Sequence, residues 1–281
     1  MSRRVLSAFS DEYADSFEEQ LAGMNRFGIE YIELRHVNGK NVSLLTEAEG
    51  REVKRMLDQA GIRVSAVGSP LGKIPLDGDR KAHLDSAKRI FSLAELLGAK
   101  FVRTFSFYPS RGRNVADQRT EVFTAVEELL LAAREYPVTL CHENEAGIYG
   151  DTPLRCRDLL DHFGGELKCV FDMGNFVLEQ IRPYPDAYET LKPEIAYFHI
   201  KDALSRGAVV PPGRGEAGIR EILKAHEAFS SEDFFVSLEP HLQTFSGKNA
   251  LVGRSFENPY QYPDGKSAFA DAVEKFRELT L

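Results

Sequence analysis

The stretch at residues 101–144 reads "FVRTFSFYPSRGRNVADQRTEVFTAVEELLLAAREYPVTLCHEN" and contains one complete strand–helix–strand unit. The segments that begin at Phe101 and Val138 are short, apolar and rich in residues typical of strands. Between them, "DQRTEVFTAVEELLLAARE" has the periodicity of a helix, and Asp117 is its predicted N-cap. This order of elements indicates a parallel βαβ unit.

The same unit recurs along the whole chain. Eight apolar segments follow one another at spacings of about 26 to 38 residues, with helical patterns between them. They begin at Val5, Tyr31, Arg63, Phe101, Val138, Cys169, Tyr197 and Phe234. Eight units in 281 residues predict an α/β protein, a closed (β/α)₈ TIM barrel with a single domain over residues 1–281. A long loop, 241–266, is predicted between the eighth strand and the last helix. The segment after the first strand, "AFSDEYADS", has no glycine, which disfavours a dinucleotide-binding fold.

The composition narrows the classes of partner. The chain carries 35 Lys and Arg against 43 Asp and Glu, a net charge of −8, so we expect neither nucleic acid nor an anionic membrane as a partner. Its apolar runs are too short to span a bilayer, and its start lacks the pattern of a signal peptide. Three cysteines without a Cys-x-x-Cys pair fit reduced thiols in the cytoplasm. We therefore expect a cytoplasmic protein that acts on a small molecule.

Polar side chains end the last four predicted strands: Glu143, Asp172, His199 and Glu239. In a TIM barrel the carboxyl ends of all strands surround one mouth. Three carboxylates gathered there would repel one another, and a divalent cation relieves that repulsion. Carboxylate oxygens with one imidazole suit Mn²⁺, Mg²⁺ or Co²⁺, and Zn²⁺ remains open. We predict one divalent metal ion, with Mn²⁺ as the first choice.

Several motifs resemble the sugar isomerase/epimerase family related to xylose isomerase. They are "GIEYIELRH", "LCHEN", "FDMGN", "YFHIKDA", "SLEP" and "PPGRGEAGIREIL", and they span nearly the whole chain. The resemblance implies that Glu143, Asp172, His199 and Glu239 bind the metal. It also implies that Glu143 and Glu239 exchange protons with a ketose or a sugar-derived ketone through an enediolate. We expect the sugar to contact Arg35, His142, Asn175, Lys201 and Arg214, and the resemblance leaves a homo-oligomer open.

The motifs also depart from one branch of that family. In its free-ketose 3-epimerases, glutamate, histidine and arginine stand where this chain has Tyr149, Asn175 and Ser205, which disfavours a plain ketohexose 3-epimerase. His142 could act as a base if the local turn brought it inward, although regular strand geometry points it away.

Three alternatives to an isomerase or epimerase follow. The first is a metal-dependent lyase of 3-oxo sugars or glycosides, similar to the catalytic subunit of C-glycoside deglycosidases, which work with a small second subunit. The other two are an enzyme similar to AP endonucleases and a sugar-binding barrel without catalytic activity. An AP endonuclease would need more histidine ligands and a basic face, whereas this chain has seven histidines and a net negative charge.

Overall fold

Eight parallel strands close into one barrel in the computed structural model, which describes residues 2–242, 258 and 260–280. Each predicted strand is present, and each pairs with the next one along the chain, while the last pairs with the first. The strands are β1 Arg4–Ala8, β2 Tyr31–Leu34, β3 Arg63–Leu71, β4 Phe101–Thr104, β5 Thr139–Glu143, β6 Leu167–Asp172, β7 Ile195–Ile200 and β8 Phe234–Leu238. The prediction of a single-domain TIM barrel is therefore confirmed.

Helices connect the strands around the outside of the barrel. They are α1 Phe17–Arg26, α2 Glu47–Ala60, α3 Arg80–Leu97, α4 Arg119–Ala133, α5 Pro153–Phe163, α6 Met173–Leu178, α7 Tyr188–Leu191, α8 Ile219–Phe229 and α9 Gly265–Thr280. The helix α2 shows why such bounds are readable in the sequence. Thr46 and Glu49 form a reciprocal capping box at its start, and Gly61 ends it in the left-handed conformation at φ 69°.

One predicted helix start is wrong. Asp117 lies inside a 3₁₀ turn, Val115–Gln118, and the helix α4 begins only at Arg119. Asn114 caps the turn instead, because its side-chain oxygen accepts a hydrogen bond from the backbone N–H of Ala116. The sequence offers both an asparagine and an aspartate near this start, and the intervening turn separates the cap from the helix.

The core lies mainly between the barrel and its helices, and a smaller cluster fills the barrel interior. That inner cluster consists of Ala66, Phe101, Cys141, Val170 and Tyr197, which come from five successive strands. All three cysteines are buried and free, as expected of reduced thiols. The packed interior closes the barrel below the strand ends, so the polar residues of the mouth lie on an apolar floor.

Most of the predicted loop 241–266 lies outside the described residues. The chain is described up to Leu242, at residue 258, and again from Tyr260, and α9 begins at Gly265. Among the described residues, no helix combines the length and the apolarity needed to cross a bilayer.

Candidate metal centre

The strand β7 and the residue that directly follows it direct three polar side chains into the barrel. Alternate residues of a strand point to opposite faces, so Tyr197, His199 and Lys201 share one face. Tyr197 belongs to the cluster inside the barrel, whereas Phe198 and Ile200 pack in the core beneath the helices. The motif "YFHIKDA" therefore alternates between apolar packing outside the barrel and polar groups inside it.

The four predicted metal ligands meet at the carboxyl ends of β5 to β8. Glu143 and Asp172 end their strands, His199 lies opposite Asp172 in the sheet register, and Glu239 directly follows β8. One ligand atom from each residue lies within 4.8 Å of all the others. The Nδ1 atom of His199 is 3.2 Å from Glu143 Oε1, 3.4 Å from Glu239 Oε2 and 3.7 Å from Asp172 Oδ2. We call these four residues the acidic cluster.

Asp172 uses its two carboxylate oxygens differently. Its Oδ1 accepts a hydrogen bond of 2.7 Å from the backbone N–H of Asn175 and so caps α6. Its Oδ2 is buried and forms an ion pair with the Nζ atom of Lys201, which lies 2.7 Å away. Helix capping thus fixes the carboxylate and leaves one oxygen directed at the other ligands.

This donor set fits a divalent cation. Three buried carboxylates and one imidazole offer the hard oxygen ligands and the single nitrogen that such ions accept. The clearest sign is the convergence of three buried carboxylates on one imidazole, because Lys201 and Arg103 offset only part of their charge. Manganese, magnesium, cobalt and zinc share this chemistry, and the donor set alone does not choose among them.

Two buried cations partly neutralise the cluster. Lys201 Nζ lies 2.7 Å from Asp172 Oδ2 and 3.1 Å from Glu239 Oε2. Arg103 donates from Nη1 to Glu143 Oε2 at 3.0 Å, and the same atom is 3.7 Å from Glu239 Oε1. Burial alone would lower the pKa of Lys201, but the neighbouring carboxylates outweigh it and raise that pKa above its ordinary value.

The carboxyl groups respond to these neighbours in opposite directions. Burial favours a raised pKa for all three, and for Asp172 it prevails over the attraction of Lys201. For Glu143 the charges of His199 and Arg103 outweigh burial and lower the pKa. For Glu239 the charge of Lys201 is the main cause that outweighs burial, and the pKa of Glu239 lies well below the usual range. The two glutamates are therefore held ionised.

Three of the five predicted substrate residues lie at the acidic cluster. Arg35 donates from Nη1 to Glu239 Oε1 at 2.9 Å, Lys201 contacts the cluster as described, and the Nδ2 atom of Asn175 donates to Glu143 Oε1 at 3.3 Å. Arg35 also pairs with Asp11 and Glu12, so its guanidinium contacts three carboxylates at once.

The structure does not bring His142 to the cluster. Its Nε2 is 3.0 Å from Ser106 Oγ, and its ring packs so closely on Gly150 that a Cβ there would come within 2.1 Å of Cε1. Burial lowers the pKa of His142 to about 4. Because Glu143 points into the barrel, its neighbour on the strand must point outward, as regular alternation requires.

Arg214 also lies apart from the cluster. It is exposed, and no ion pair joins it to the cluster within the part of the chain that the structure describes. Its loop is fixed by Asp202, whose carboxylate accepts hydrogen bonds from the backbone N–H groups of Ala203, Gly213, Gly215 and Ala217. The loop is therefore anchored next to Lys201, while the arginine side chain points to solvent.

Sequence reasoning missed Glu33. It is fully buried on β2, and its Oε2 lies 3.1 Å from the Nε2 atom of His199. Its Oε1 accepts a hydrogen bond of 3.0 Å from the hydroxyl of Tyr197. The available signal was an acid between Ile32 and Leu34, where alternation directs it into the barrel.

A cavity of about 570 Å³ opens beside the acidic cluster. Its lining includes the loop after β1, the residues that follow β2 and those that follow β8, with Arg35 and Glu12 between the cavity and Glu239. The lining combines apolar residues such as Phe269 with charged groups such as Arg35 and Asp11, as in many pockets for small ligands.

Solved structures with the same fold cover nearly the entire chain. The probable 3-DHS dehydratase AsbF from Bacillus anthracis is 19% identical with a TM-score of 0.72, covering 99% of both chains. A D-allulose 3-epimerase from Methylomonas sp. in complex with D-allulose is 14% identical with a TM-score of 0.73, covering 99% of this chain and 98% of that one. A xylose isomerase-like TIM barrel protein from Mycobacterium smegmatis in complex with magnesium is 18% identical with a TM-score of 0.68, covering 100% of this chain and 97% of that one.

Because all three sequence identities are low, these similarities show the shared fold and no more. The chain has no match among curated proteins. The family model described as xylose isomerase-like TIM barrel matches residues 21–266, which is most of the sequence. The chain therefore belongs to the xylose isomerase-like TIM barrel family.

Proposed function

We propose that the protein is a divalent-metal-dependent isomerase or epimerase that moves a proton on a ketose or a sugar-derived ketone. The observation that carries this proposal is the acidic cluster: three carboxylates and one imidazole, all buried, converge at the mouth of the barrel. An epimerase and a magnesium-bound protein among the chains of similar fold support the proposal.

The two glutamates are the proposed acid and base. A bound metal would lower the free energy of negative charge on the substrate's carbonyl oxygen, and so make the neighbouring C–H group acidic. Glu143 and Glu239 each direct one oxygen, Oε1 and Oε2 respectively, at His199 Nδ1, and keep the other outside the cluster. One of these outer oxygens would take the proton from carbon. The second glutamate would first take up a proton from solvent and then give it to the enediolate, while the first glutamate would release its proton to solvent.

Both outer oxygens already hold an arginine. Arg103 lies at Glu143 Oε2, and Arg35 lies at Glu239 Oε1. Arg103 helps to keep Glu143 ionised, and both contacts orient the carboxylates and weaken them as bases. For either glutamate to accept a proton from carbon, the substrate must displace the arginine from that oxygen. The displaced guanidinium would then donate to a substrate hydroxyl.

One observation disfavours a plain 3-epimerase and leaves a lyase as the second candidate. Tyr149, which stands where the 3-epimerases of the family have their second glutamate, donates its hydroxyl to Asp158 on α5 at 2.7 Å. A lyase of 3-oxo sugars or glycosides begins with the same proton removal beside a ketone and then expels a substituent. The dehydratase of similar fold supports this candidate, and a small second subunit would belong to it.

Deuterium exchange tests the proposal and separates the two candidates. The purified protein is stripped with EDTA, loaded with Mn²⁺, Mg²⁺, Co²⁺ or Zn²⁺, and incubated in D₂O with a panel of ketoses and 3-oxo glycosides. Metal-dependent incorporation of deuterium into a recovered sugar or its isomer supports the isomerase or epimerase. Release of water or an aglycone supports the lyase, and no metal-dependent reaction on either panel contradicts both.

Variants test the roles of the two glutamates. Glu143→Gln and Glu239→Gln should each reduce exchange by about 100-fold or more, since each removes one proton-transfer group. Glu166→Gln is the matched control: this exposed glutamate pairs with Arg134 at 2.8 Å and directly precedes β6, at the opposite end of the barrel. Exchange that survives both cluster substitutions would refute the two-glutamate mechanism.

A further inference from the structure

Both ring nitrogens of His199 face carboxylates. Nδ1 is directed at Glu143, Asp172 and Glu239, as described above, whereas Nε2 is 3.1 Å from Glu33 Oε2. The contact crosses the barrel interior from β7 to β2 and joins side chains that are both fully buried. Glu33 is not one of the four residues whose ligand atoms lie within 4.8 Å of one another, so it contacts the imidazole from the side away from the cluster.

Glu33 is itself held in place. The hydroxyl of Tyr197 donates to Glu33 Oε1 at 3.0 Å, and the Tyr197 ring stacks on Phe101 with centroids 5.6 Å apart. The ring of Phe9 packs edge-on against His199 at 5.1 Å. Packing thus restrains the imidazole and the phenol, and the carboxylate between them bonds to both.

We propose that Glu33, supported by Tyr197, is a positioning residue that keeps the ring proton of His199 on Nε2 and presents the Nδ1 lone pair to the metal. This inference rests on the proposed metal centre. A neutral imidazole has one N–H donor and one acceptor nitrogen, and an ionised carboxylate can only accept. Both ring nitrogens face carboxylates. A cation bound at Nδ1 would take the place of a proton there, and the remaining ring proton would stay on Nε2, where Glu33 accepts it. A carboxylate in this position also makes the ligating nitrogen more basic.

Metal affinity measures this role directly. Calorimetric titration of the EDTA-stripped protein with Mn²⁺ should show affinity weakened by roughly 10- to 100-fold in Glu33→Gln, the usual effect of losing such a partner. Tyr197→Phe should weaken affinity by a smaller factor, because Glu33 remains but loses one restraint. Glu30→Gln is the matched control: this exposed residue, three positions earlier, pairs with Arg63 and should bind Mn²⁺ as the parent protein does.

A second readout separates positioning from a merely structural role. Long-range ¹H–¹⁵N spectra of the Mg²⁺-loaded protein report which nitrogen of His199 carries the proton. We expect the Nε2–H form in the parent protein and a mixture of forms in Glu33→Gln. If Glu33→Gln does not fold, Tyr197→Phe decides, and unchanged Mn²⁺ affinity in that variant overturns the inference.

The outcomes distinguish the two proposals. A parent protein that binds Mn²⁺, with a Glu33→Gln variant of equal affinity and the same Nε2–H form, overturns the role of Glu33 but leaves the metal centre intact. A parent protein that binds none of the divalent ions overturns the metal centre itself, together with the inference built on it.

Discussion

Replacing Lys201 with methionine should destabilise the metal-free protein and yet strengthen metal binding. Methionine keeps most of the length of the side chain and removes only its charge. Without metal, Asp172 and Glu239 then lose the ammonium that lies 2.7 and 3.1 Å from their oxygens. Removing one partner from a buried ion pair lowers the free energy of unfolding by about 3–5 kcal/mol.

The expected gain in affinity follows from a thermodynamic cycle. A bound divalent ion supplies positive charge to the same oxygens, so Lys201→Met should destabilise the loaded protein less than the metal-free protein. If the ion compensates for about half of the loss, the difference is roughly 1.5–2.5 kcal/mol in favour of binding, which corresponds to about 10- to 100-fold tighter binding.

Two measurements check the cycle. Urea unfolding in EDTA and in saturating Mn²⁺ gives the two losses of stability, and calorimetric titration gives the affinity independently. Lys40→Met serves as the control, because Lys40 pairs with Glu49 at 2.8 Å on the surface. Mn²⁺ binding that is unchanged or weaker in Lys201→Met, with the fold intact, would refute the view that this ammonium competes with the metal.

Three further results are expected. Burial lowers the pKa of His226 to about 4, below its unfolded value of 6.5, so the unfolded chain takes up the proton first and stability falls as the pH drops from about 6.5 towards 4. His226→Asn should reduce this loss by about 2–3 kcal/mol, as measured by urea unfolding across pH in EDTA. Asp202→Ala should lower the free energy of unfolding by about 2–4 kcal/mol and speed amide exchange at residues 213–217, since it leaves four backbone N–H groups without their acceptor. Gly174→Ala should lower the free energy of unfolding by about 1–3 kcal/mol, as measured by urea unfolding, because a Cβ there would lie 2.6 Å from Lys201 Cγ and 2.9 Å from its backbone oxygen.

The sequence predicts the barrel and the acidic cluster well because both depend on local patterns. Each strand is a short apolar run, and each cluster residue ends such a run or follows it directly, as Asp172 does in "CVFDMGN". Alternation along a strand separates neighbours such as His142 and Glu143 without any knowledge of the fold. One sequence is therefore enough to predict features that depend only on the alternation of side chains along a strand and on where the strand ends.

Contacts between residues far apart in the sequence could not be predicted from such local patterns. Glu33 contacts His199, which lies 166 positions away in the sequence. No residue near Glu33 indicates that its partner is a histidine. Arg103 reaches Glu143 and the backbone oxygens of Gly68 and Ser69 only because the barrel closes around it. In the sequence, a single charged residue within an apolar strand shows no partner. Its partner is determined by which strands come together when the barrel closes.

The buried charges around His199 explain why the cluster suits a divalent ion. Four carboxylates, those of Glu33, Glu143, Asp172 and Glu239, lie around His199, and the cations Arg103, Lys201 and Arg35 contact three of them. Arg35 is also shared with Asp11 and Glu12, so carboxylates outnumber cations in this part of the barrel. A doubly charged ion offsets more of this excess of negative charge than a singly charged ion would. Lys201 and Arg103 thus reduce the attraction of the cluster for a further cation. Removing either side chain should make the cluster bind a divalent ion more tightly.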